Sequence, residues 1–483
     1  MPNPTQLRLA ARKIFDEALR AADARDAVQR ALRLEGSILS VCDTTIDLSE
    51  QRPIYAIAIG KAAFAMASAL DETLGKKLAA AIITTSAAEY GTTGGRKLVD
   101  ARRDAGEPQS RPIGTALLGW QIFQGGHPEP NEESLSAARA CVDLLQRASD
   151  ERAIVIFLIS GGGSAMIEWP ISQEITLAEL RSANEVLIKS GASILEINTV
   201  RRSFSAVKGG RLAAQAPNCV QVTLIVSDVP SGNERNVASG PSLAPPANAP
   251  EARTVIDQYH LRSRLPENIL RAIDAHSADS ISPDNEPSIR EYFVLLDNES
   301  ALNAAAEAAR ALGFVVETAD DIADQPIADG CAQLIIKMNE GHQRSHNSGA
   351  SDFAKAACLI SGGEFACPVR GNGIGGRNLE SALRLAIEYE HRKVAFASAD
   401  FVALCAGTDG IDGNSPAAGA IVDNTTIERA RAIGLDPEDF LDRSDAYSFF
   451  VALGDVIATG PTGTNVRDIR ILLAEVQEPG ASR

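Results

Sequence analysis

Six apolar, β-rich runs of this chain end in glycine clusters that carry one or two polar side chains. The clusters are Gly60-Lys61, Ser160 to Ser164, Ser227-Asp228 with Ser231-Gly232, Ser361 to Glu364, Gly407 to Gly413 and Gly460 to Asn465. A short continuous Val/Ile/Leu run is typical of a buried parallel strand, and ligands bind where the carboxyl ends of such strands meet helix N-termini. The pattern therefore predicts strand–loop–helix units whose loops bind an anion.

Two of these clusters carry the groups that contact phosphate best. Lys61 follows a strand-end glycine, from which a lysine can reach a phosphate or a carboxylate. Three adjacent glycines are costly in backbone entropy unless something must approach them closely, and their N–H groups can surround an anion. The residues of this predicted anion loop are Ser160, Gly161, Gly162, Gly163 and Ser164. The alternatives are a solvated lysine at a helix start and a tight strand–helix turn.

A polar and cationic stripe is predicted downstream of that loop. Asn198, Arg201, Ser205 and Lys208 follow one another at spacings of 3, 4 and 3 residues. This spacing places them on one face of a helix, next to Gly209. Such a face can line a cleft, but an ordinary solvated helix has the same pattern.

Three aspartates are candidates for a metal or a proton. Asp228 follows one apolar run, and Asp409 and Asp412 lie in a glycine-rich turn. Carboxylates at strand ends can hold Mg²⁺ that bridges a nucleotide, or accept a proton from a substrate hydroxyl. Aspartates in turns also cap helices, and the sequence leaves these alternatives open.

The segment Gly371 to Gly376 satisfies the GxGxxG pattern of dinucleotide-binding proteins. The stretch before it contains Pro368 and ends in a charge, and both are poor features for the buried first strand of such a unit. Direct polar contact with an anionic ligand suits this segment better, and a nicotinamide site is the alternative. The residues predicted to make that contact are Gly375, Gly376, Arg377 and Asn378.

Composition limits the class of protein. The chain has 483 residues, which is too long for one core, and its formal net charge of −17 disfavours nucleic acid and anionic membranes as partners. Its seven cysteines are scattered, odd in number and without a CxxC pair, as expected for a reducing, cytoplasmic location without a zinc site. No run approaches the ~18 apolar residues of a membrane span.

Prolines and polar stretches suggest the domain boundaries. Four prolines fall within residues 241–250, and residues 277–288 are polar. We expect an N-terminal domain over 1–245, a helical connector over 246–290 and a C-terminal domain over 291–483 that begins with a strand at Tyr292. Residues 86–124 are predicted to form a surface excursion.

Ten segments, in order and across nearly the whole chain, together resemble the glycerate 2-kinases of the MOFRL type. They are AIGKAAFAM, GGHPEPNEES, LISGGGSAM, NTVRRSFSAVKGGRLA, LIVSDVPSG, VASGP, ISGGE, GNGIGGRNLE, AGTDGIDGNSPAAGA and TGPTGTNVRD. The resemblance implies an α/β fold with two α/β/α three-layer domains. The N-terminal domain would have a Rossmann-like parallel sheet and the C-terminal domain the MOFRL type, with the active site in the cleft between them.

The resemblance also implies a reaction, the ATP-dependent phosphorylation of D-glycerate at its 2-hydroxyl, and central roles for Lys61 and Arg377. The expected catalytic residues are Lys61, Arg377 and Asp228. Those expected to bind nucleotide phosphates are Ser160, Gly161, Gly162, Gly163, Ser164, Lys208, Gly209, Gly375, Gly376 and Asn378. Asn198, Arg201 and Asp409 are expected to bind the substrate, and either Asp228 or Asp409 to bind Mg²⁺.

Two other functions stay open at this point. Proteins of this type were once labelled hydroxypyruvate reductases, so an NAD(P)H-dependent reductase is one alternative. The other is a noncatalytic regulator that binds a nucleotide or a sugar acid, although such a protein could dispense with Lys61 and Arg377. The sequence does not define the oligomeric state, and a homodimer is one arrangement left open.

Overall fold

The computed structural model describes residues 4–50, 52–86, 117, 119–246, 249–275, 290–347, 356–396 and 400–475. Within these residues, contacts define two compact units. The first unit is Ala24–Leu295, and the second unit combines Met1–Asp23 with Leu296–Arg483. Most of the predicted surface excursion at 86–124, and the polar stretch at 277–288, lie outside the described residues.

Helices and strands alternate through most of the described chain. The helices are α1 (Pro4–Ala21), α2 (Ala24–Ala31), α3 (Ala63–Leu74), α4 (Glu132–Asp150), α5 (Gly163–Met166), α6 (Leu177–Ile188), α7 (Ile194–Ser203), α8 (Ala252–Gln258), α9 (Glu267–Ala275), α10 (Asn298–Ala311), α11 (Ile327–Asn347), α12 (Arg377–Arg392), α13 (Thr426–Ala432), α14 (Pro437–Asp442) and α15 (Ala446–Leu453). The strands are β1 (Leu32–Glu35), β2 (Ile38–Val41), β3 (Thr44–Asp47), β4 (Ile54–Ile59), β5 (Leu78–Thr85), β6 (Trp120–Gln124), β7 (Ile154–Ser160), β8 (Val220–Val226), β9 (Arg290–Leu296), β10 (Val315–Thr318), β11 (Ala356–Ser361), β12 (Asp400–Gly407), β13 (Gly419–Asp423), β14 (Val456–Ile457) and β15 (Asp468–Glu475). Among these residues, no helix combines the length and the apolar character needed to cross a bilayer.

The main sheet of the first unit has the strand order β6-β5-β4-β7-β8-β9. β4 runs parallel to β5 and β7, and the pairs β5–β6 and β7–β8 are also parallel. Every residue of β4, β7 and β8 is buried, which explains their continuous apolar sequences. The predicted Rossmann-like sheet is confirmed, and parallel pairing brings the loops after β4, β7 and β8 to one edge.

The compact units differ from the predicted domains in three places. β9, predicted to begin the C-terminal domain, lies beside β8 in the sheet of the first unit. α8 and α9, predicted as a connector, share one hydrophobic cluster with α6 and α7. α1 contacts α10, β12 and β15 of the second unit. Prolines and polar residues mark irregular backbone, but they do not show which core the neighbouring helices join.

The sheet of the second unit has the order β10-β11-β15-β12-β13-β14. Only β10 and β11 are parallel, whereas β15 runs antiparallel to β11 and β12, and β13 antiparallel to β12 and β14. The expectation that all six apolar runs form parallel strands is therefore wrong for β14 and for β12. Its residues are buried throughout, and a continuous apolar run reports burial on both faces, not the direction of the neighbouring strands.

Candidate functional site

The ends of β4 and β7 are joined by hydrogen bonds around Gly60. Lys61 donates its backbone N–H to the carbonyl oxygen of Gly161 at 2.9 Å, and the N–H of Ala62 donates to Ser160 Oγ at 3.0 Å. Gly60 has a φ of +115°, and a Cβ atom there would overlap the backbone and the hydroxyl of Ser160. Glycine is therefore required at position 60, and the turn fixes where the Lys61 side chain begins.

The three glycines of the anion loop make room for the protein's own side chains. A Cβ atom at Gly161 would overlap the carboxylate of Asp228, and one at Gly163 would lie 2.7 Å from Cβ of Ala238. Gly162 has a φ of +80°, and a Cβ atom there would lie 3.1 Å from Cγ of Lys61. The close approach predicted from the glycines thus exists within the fold, and it places Lys61 and Asp228 beside the loop.

A chain of hydroxyl and amide groups connects the anion loop to α7. Ser164 Oγ lies 2.8 Å from Ser239 Oγ, which donates to Asn198 Oδ1 at 2.9 Å. Ser239 and the preceding Ala238 have φ values of +62° and +52°, which are uncommon for residues other than glycine. Strain of this kind is held where the surrounding structure needs a particular geometry, here the placement of Asn198 against the loop.

Arg201 lies one helical turn beyond Asn198 and has only neutral hydrogen-bond partners among the described residues. Its Nε donates to Asn184 Oδ1 at 2.8 Å, and its Nη1 makes a long contact of 3.5 Å with Asn198 Oδ1. Burial lowers the pKa of Arg201, and the charge of Glu168 offsets part of that effect. A guanidinium without a paired carboxylate is suited to bind an anion.

Lys208 is placed differently from the prediction. α7 ends at Ser203, so Ser205 and Lys208 do not continue its polar face. The Lys208 side chain is 1% exposed and forms an ion pair with Glu168, which also accepts a hydrogen bond from Ser205 Oγ at 2.6 Å. Burial lowers the pKa of Lys208, and Glu168 raises it in part. The charge of Lys208 is therefore satisfied inside the core, and its predicted nucleotide contact gains no support from this geometry.

The neighbouring Gly209, also predicted to contact the nucleotide, is held by the fold as well. It donates its N–H to the carbonyl oxygen of Ser239 at 3.1 Å.

In the second unit, Arg377 is the first residue of α12 and binds two carboxylates. Its Nε donates to Asp468 Oδ2 at 2.6 Å, and its Nη2 lies 2.6 Å from Glu364 Oε1. Although burial lowers the pKa of Arg377, Asp468 and Glu364 outweigh it and hold the pKa above its ordinary value. Nη1 forms no hydrogen bond with the described residues and stays available to a ligand.

Asp412 caps α12. Its carboxylate accepts the backbone N–H groups of Asn378 at 3.0 Å and of Leu379 at 2.8 Å, and a Cβ atom at Gly376 would lie 2.5 Å from its Cγ. Of the alternatives raised for the aspartates, helix capping is the one that Asp412 fulfils. Its burial raises the pKa of this carboxyl to about 7, against the lowering effect of the two N–H donors.

Asn378 side-chain Nδ2 donates to Asp468 Oδ1 at 2.9 Å, so this amide bonds within the protein. Gly375 donates its N–H to Asn414 Oδ1 at 2.8 Å, which ties the loop before α12 to the turn that carries Asp409. Asp409 is half-buried, and its Oδ1 accepts the N–H of Ile411 at 3.1 Å.

The GxGxxG segment lacks the strand that a dinucleotide-binding unit needs. Residues 362–376 are all described, and they contain only a β-bridge at Ala366 before α12 begins. His127, in the segment GGHPEPNEES, is exposed. Within the described parts of both units, no group of three or more His, Cys, Asp and Glu side chains is arranged to hold a metal ion.

Sequence reasoning missed the partners of the predicted cations. Glu364 and Asp468 both lie in glycine-containing motifs, SGGE and TGPTGTNVRD, so their positions carried a signal that was not used for the site. Glu168 lies just after the short helix α5 in an apolar context and had no such signal.

Comparison with known proteins finds a family match in each unit. Residues 10–274 match a domain of unknown function, DUF4147, and residues 357–468 match the MOFRL family. The chain is 34% identical over 433 residues, 89% of this chain and 93% of the relative, to a protein named D-glycerate 2-kinase from Thermotoga maritima. It is 33% identical over 476 residues, 98% of this chain and 95% of the relative, to a putative hydroxypyruvate reductase from Agrobacterium vitis. A crystal structure of a glycerate kinase from Thermotoga maritima matches with a TM-score of 0.72 at 30% identity, covering 98% of this chain and 100% of that one.

Proposed function

The chain belongs to the glycerate 2-kinase family that combines DUF4147 and MOFRL domains, and we infer that it transfers a phosphoryl group from ATP to the 2-hydroxyl of D-glycerate. The observation that carries this conclusion is the likeness to a D-glycerate 2-kinase over both units of the chain. The residues that such a reaction needs are present: Lys61 lies beside Gly162, and the side chains of Arg201 and Arg377 are held by hydrogen bonds.

For the nucleotide, we assign the loop Ser160–Ser164 to the ATP phosphates. Its glycines leave backbone N–H groups beside Lys61, whose ammonium would neutralise charge on the transferring phosphoryl group. Phosphoryl transfer depends on positioning and electrostatic stabilisation more than on covalent help from the protein. Ser164, joined to Ser239, would hold the loop in register with α7.

For D-glycerate, we assign the carboxylate to Arg201 and Asn198. Arg201 is paired only with neutral amides among the described residues, so it can accept a carboxylate without displacing an existing counterion. Asn198 Oδ1 is already bonded to Ser239, which leaves its Nδ2 group to donate to the substrate. Asp228 is half-buried beside Gly161 and would orient the substrate hydroxyl or accept its proton.

For Mg²⁺, one carboxylate together with phosphate oxygens supplies the ligands. Mg²⁺ prefers oxygen donors and commonly keeps water and nucleotide oxygens in its shell, so a single aspartate suffices and a preformed cluster is not needed. Asp228 and Asp409 both offer such an oxygen, and each is half-buried. The bound ion would neutralise phosphate charge during transfer.

In the second unit, we assign Arg377 to a substrate or phosphate oxygen through its Nη1 group. Gly375, Gly376 and Asn378 are bonded to the fold through Asn414, Asp412 and Asp468, so they would support Arg377 rather than bind the ligand themselves. Asp409 stays the substrate-binding candidate of this unit.

The reductase alternative is not favoured, because the GxGxxG segment has no preceding strand to form a dinucleotide-binding unit.

A cytoplasmic location and a homodimer are further proposals. All seven cysteines are free, which supports a reducing environment.

Two assays run side by side test the function. Release of ADP is measured with D-glycerate and Mg-ATP, and NADH oxidation is measured with hydroxypyruvate. We expect ADP release that depends on D-glycerate and no NADH oxidation. ADP release that is the same without D-glycerate, or NADH-dependent turnover, would refute the assignment.

A further inference from the structure

The two carboxylates that bind Arg377 differ in exposure. The side chain of Asp468 is 3% exposed, whereas that of Glu364 is 31% exposed. Asp468 bonds Nε of the guanidinium and Glu364 bonds Nη2, so each counterion uses a different nitrogen of the same group. The third nitrogen, Nη1, forms no hydrogen bond with the described residues, and it shares the terminal edge of the guanidinium with Nη2.

Asp468 is held in place by further bonds. It is the first residue of β15, which lies between β11 and β12 in the sheet, and its Oδ1 accepts Asn378 Nδ2 at 2.9 Å. Removing a buried carboxylate from its cation leaves an uncompensated charge, which is strongly unfavourable. Asp468 therefore keeps its bond to Nε of Arg377 whatever binds Nη1 and Nη2.

Glu364 can separate from Arg377 at a lower free-energy cost than Asp468 can. It follows Gly363, whose φ is +76°, in the loop after β11, and its backbone N–H is bonded to Asp324 Oδ1 at 3.1 Å. That bond holds the backbone, so only the side chain must rotate. A partly exposed ion pair contributes little because water solvates both partners once they separate.

We propose that Glu364 is an internal anion that occupies Nη2 of Arg377 until an anionic oxygen of the ligand replaces it, while Asp468 remains bound to Nε and orients the guanidinium. A phosphate or carboxylate can bind Nη1 and Nη2 together, which one carboxylate oxygen of Glu364 on Nη2 does not do. The proposal rests on the proposed function only in taking the ligand to be anionic.

The test compares the binding of two anions with and without Glu364. The rise in melting temperature is titrated with inorganic phosphate and, separately, with D-glycerate, at constant ionic strength. In Glu364→Gln, the half-saturating concentration of at least one of these anions should fall about threefold or more, because the competing carboxylate is gone. The anion whose binding tightens identifies whether Arg377 holds a phosphoryl or a carboxylate group. Glu364→Asp, which is one methylene shorter, should show a smaller gain in the same direction.

A matched control lies on the same helix as Arg377. Glu388 is 28% exposed and paired with Arg392 at 3.1 Å, and it lies eleven residues along α12 from Arg377, roughly 16 Å away. Glu388→Gln removes the same charge at nearly the same exposure, so it should leave both half-saturating concentrations unchanged. The gain in Glu364→Gln should also disappear when Arg377→Gln is added, since the site would then be lost.

Under the proposal, Asp468→Asn changes the affinity for the anion in the opposite direction to Glu364→Gln. It should weaken binding of the same anion, because Arg377 loses the group that orients it. If Glu364→Gln binds both anions with wild-type affinity or more weakly, Glu364 is a structural partner and the proposal is overturned. The titrations need no turnover, so an enzyme that fails to phosphorylate D-glycerate yet shows the phosphate gain would refute the proposed reaction and not this inference.

Discussion

Lys208 and Glu168 form an ion pair inside the first unit, with side chains 1% and 2% exposed. The two residues are 40 positions apart in the chain, and Ser205 Oγ completes the shell of the carboxylate. Lys208, which precedes Gly209 and Gly210, thus neutralises a buried carboxylate of the fold.

Lys208→Met should therefore destabilise the protein while leaving ATP affinity unchanged. It leaves Glu168 buried without a counterion, a change that costs about 3–5 kcal/mol in comparable pairs. Chemical unfolding monitored by circular dichroism measures the loss, and adding Glu168→Gln should recover a large part of it. A normally stable Lys208→Met variant with a raised KM for ATP would show that Lys208 binds nucleotide.

Lys61→Ala should lower kcat/KM by more than about 100-fold without a comparable loss of stability. A charge aimed at a developing anion contributes ~3 kcal/mol to the transition state. Steady-state kinetics with a melting curve checks this. Lys189→Ala is the control, because Lys189 is an exposed lysine of the same unit, paired with Glu185 at 2.6 Å. Wild-type turnover in Lys61→Ala would leave Lys61 as an ordinary surface cation.

Arg377→Lys should lower activity at least ~10-fold, since a charged hydrogen bond contributes about 1.5–3 kcal/mol. Lysine keeps the charge, but its donors all lie on one nitrogen and cannot reproduce the separate positions of Nε, Nη2 and Nη1 that bond Asp468, Glu364 and a ligand. Arg384→Lys on the same helix is the control, because Arg384 bonds Glu380 through Nε and Nη2. Equal kinetics in wild type and Arg377→Lys would remove Arg377 from the site.

Some of this structure is predictable from the sequence because it depends on neighbouring residues. β4, β7 and β8 were predicted from their continuous apolar runs, and the position of Lys61 beside the glycine loop follows from the strand-end glycine before it. The direction of β12 was not predictable, because burial on both faces produces the same run in parallel and antiparallel strands.

The ion-pair partners of the cations in the site were harder to predict from the sequence. Asp468 is 91 residues from Arg377, and no local pattern indicates that they meet. For the same reason the sequence could not distinguish Arg201, which has only neutral partners among the described residues, from Lys208, which has a buried carboxylate.

Asp412 should make stability depend on pH. Its pKa is about 7 in the folded protein and 3.8 ordinarily, so the folded state holds a proton that the unfolded chain releases between about pH 4 and 7. The stabilisation from this proton is complete below the lower value and is lost as pH rises through the upper one. The stability of wild type relative to Asp412→Asn, from unfolding curves at about pH 5.5 and 8, should therefore fall as pH rises. A constant or growing difference would contradict the raised pKa.

The most direct measurement of the central claim is phosphorus NMR of the product formed from D-glycerate and Mg-ATP. Phosphorylation at the 2-hydroxyl gives 2-phosphoglycerate and an equal amount of ADP, and both resonances should grow together. The account predicts 2-phosphoglycerate as the initial product. If 3-phosphoglycerate is the only phosphorylated product, or if D-glycerate stays unmodified while ATP is stable, the assignment of this chain as a glycerate 2-kinase is contradicted.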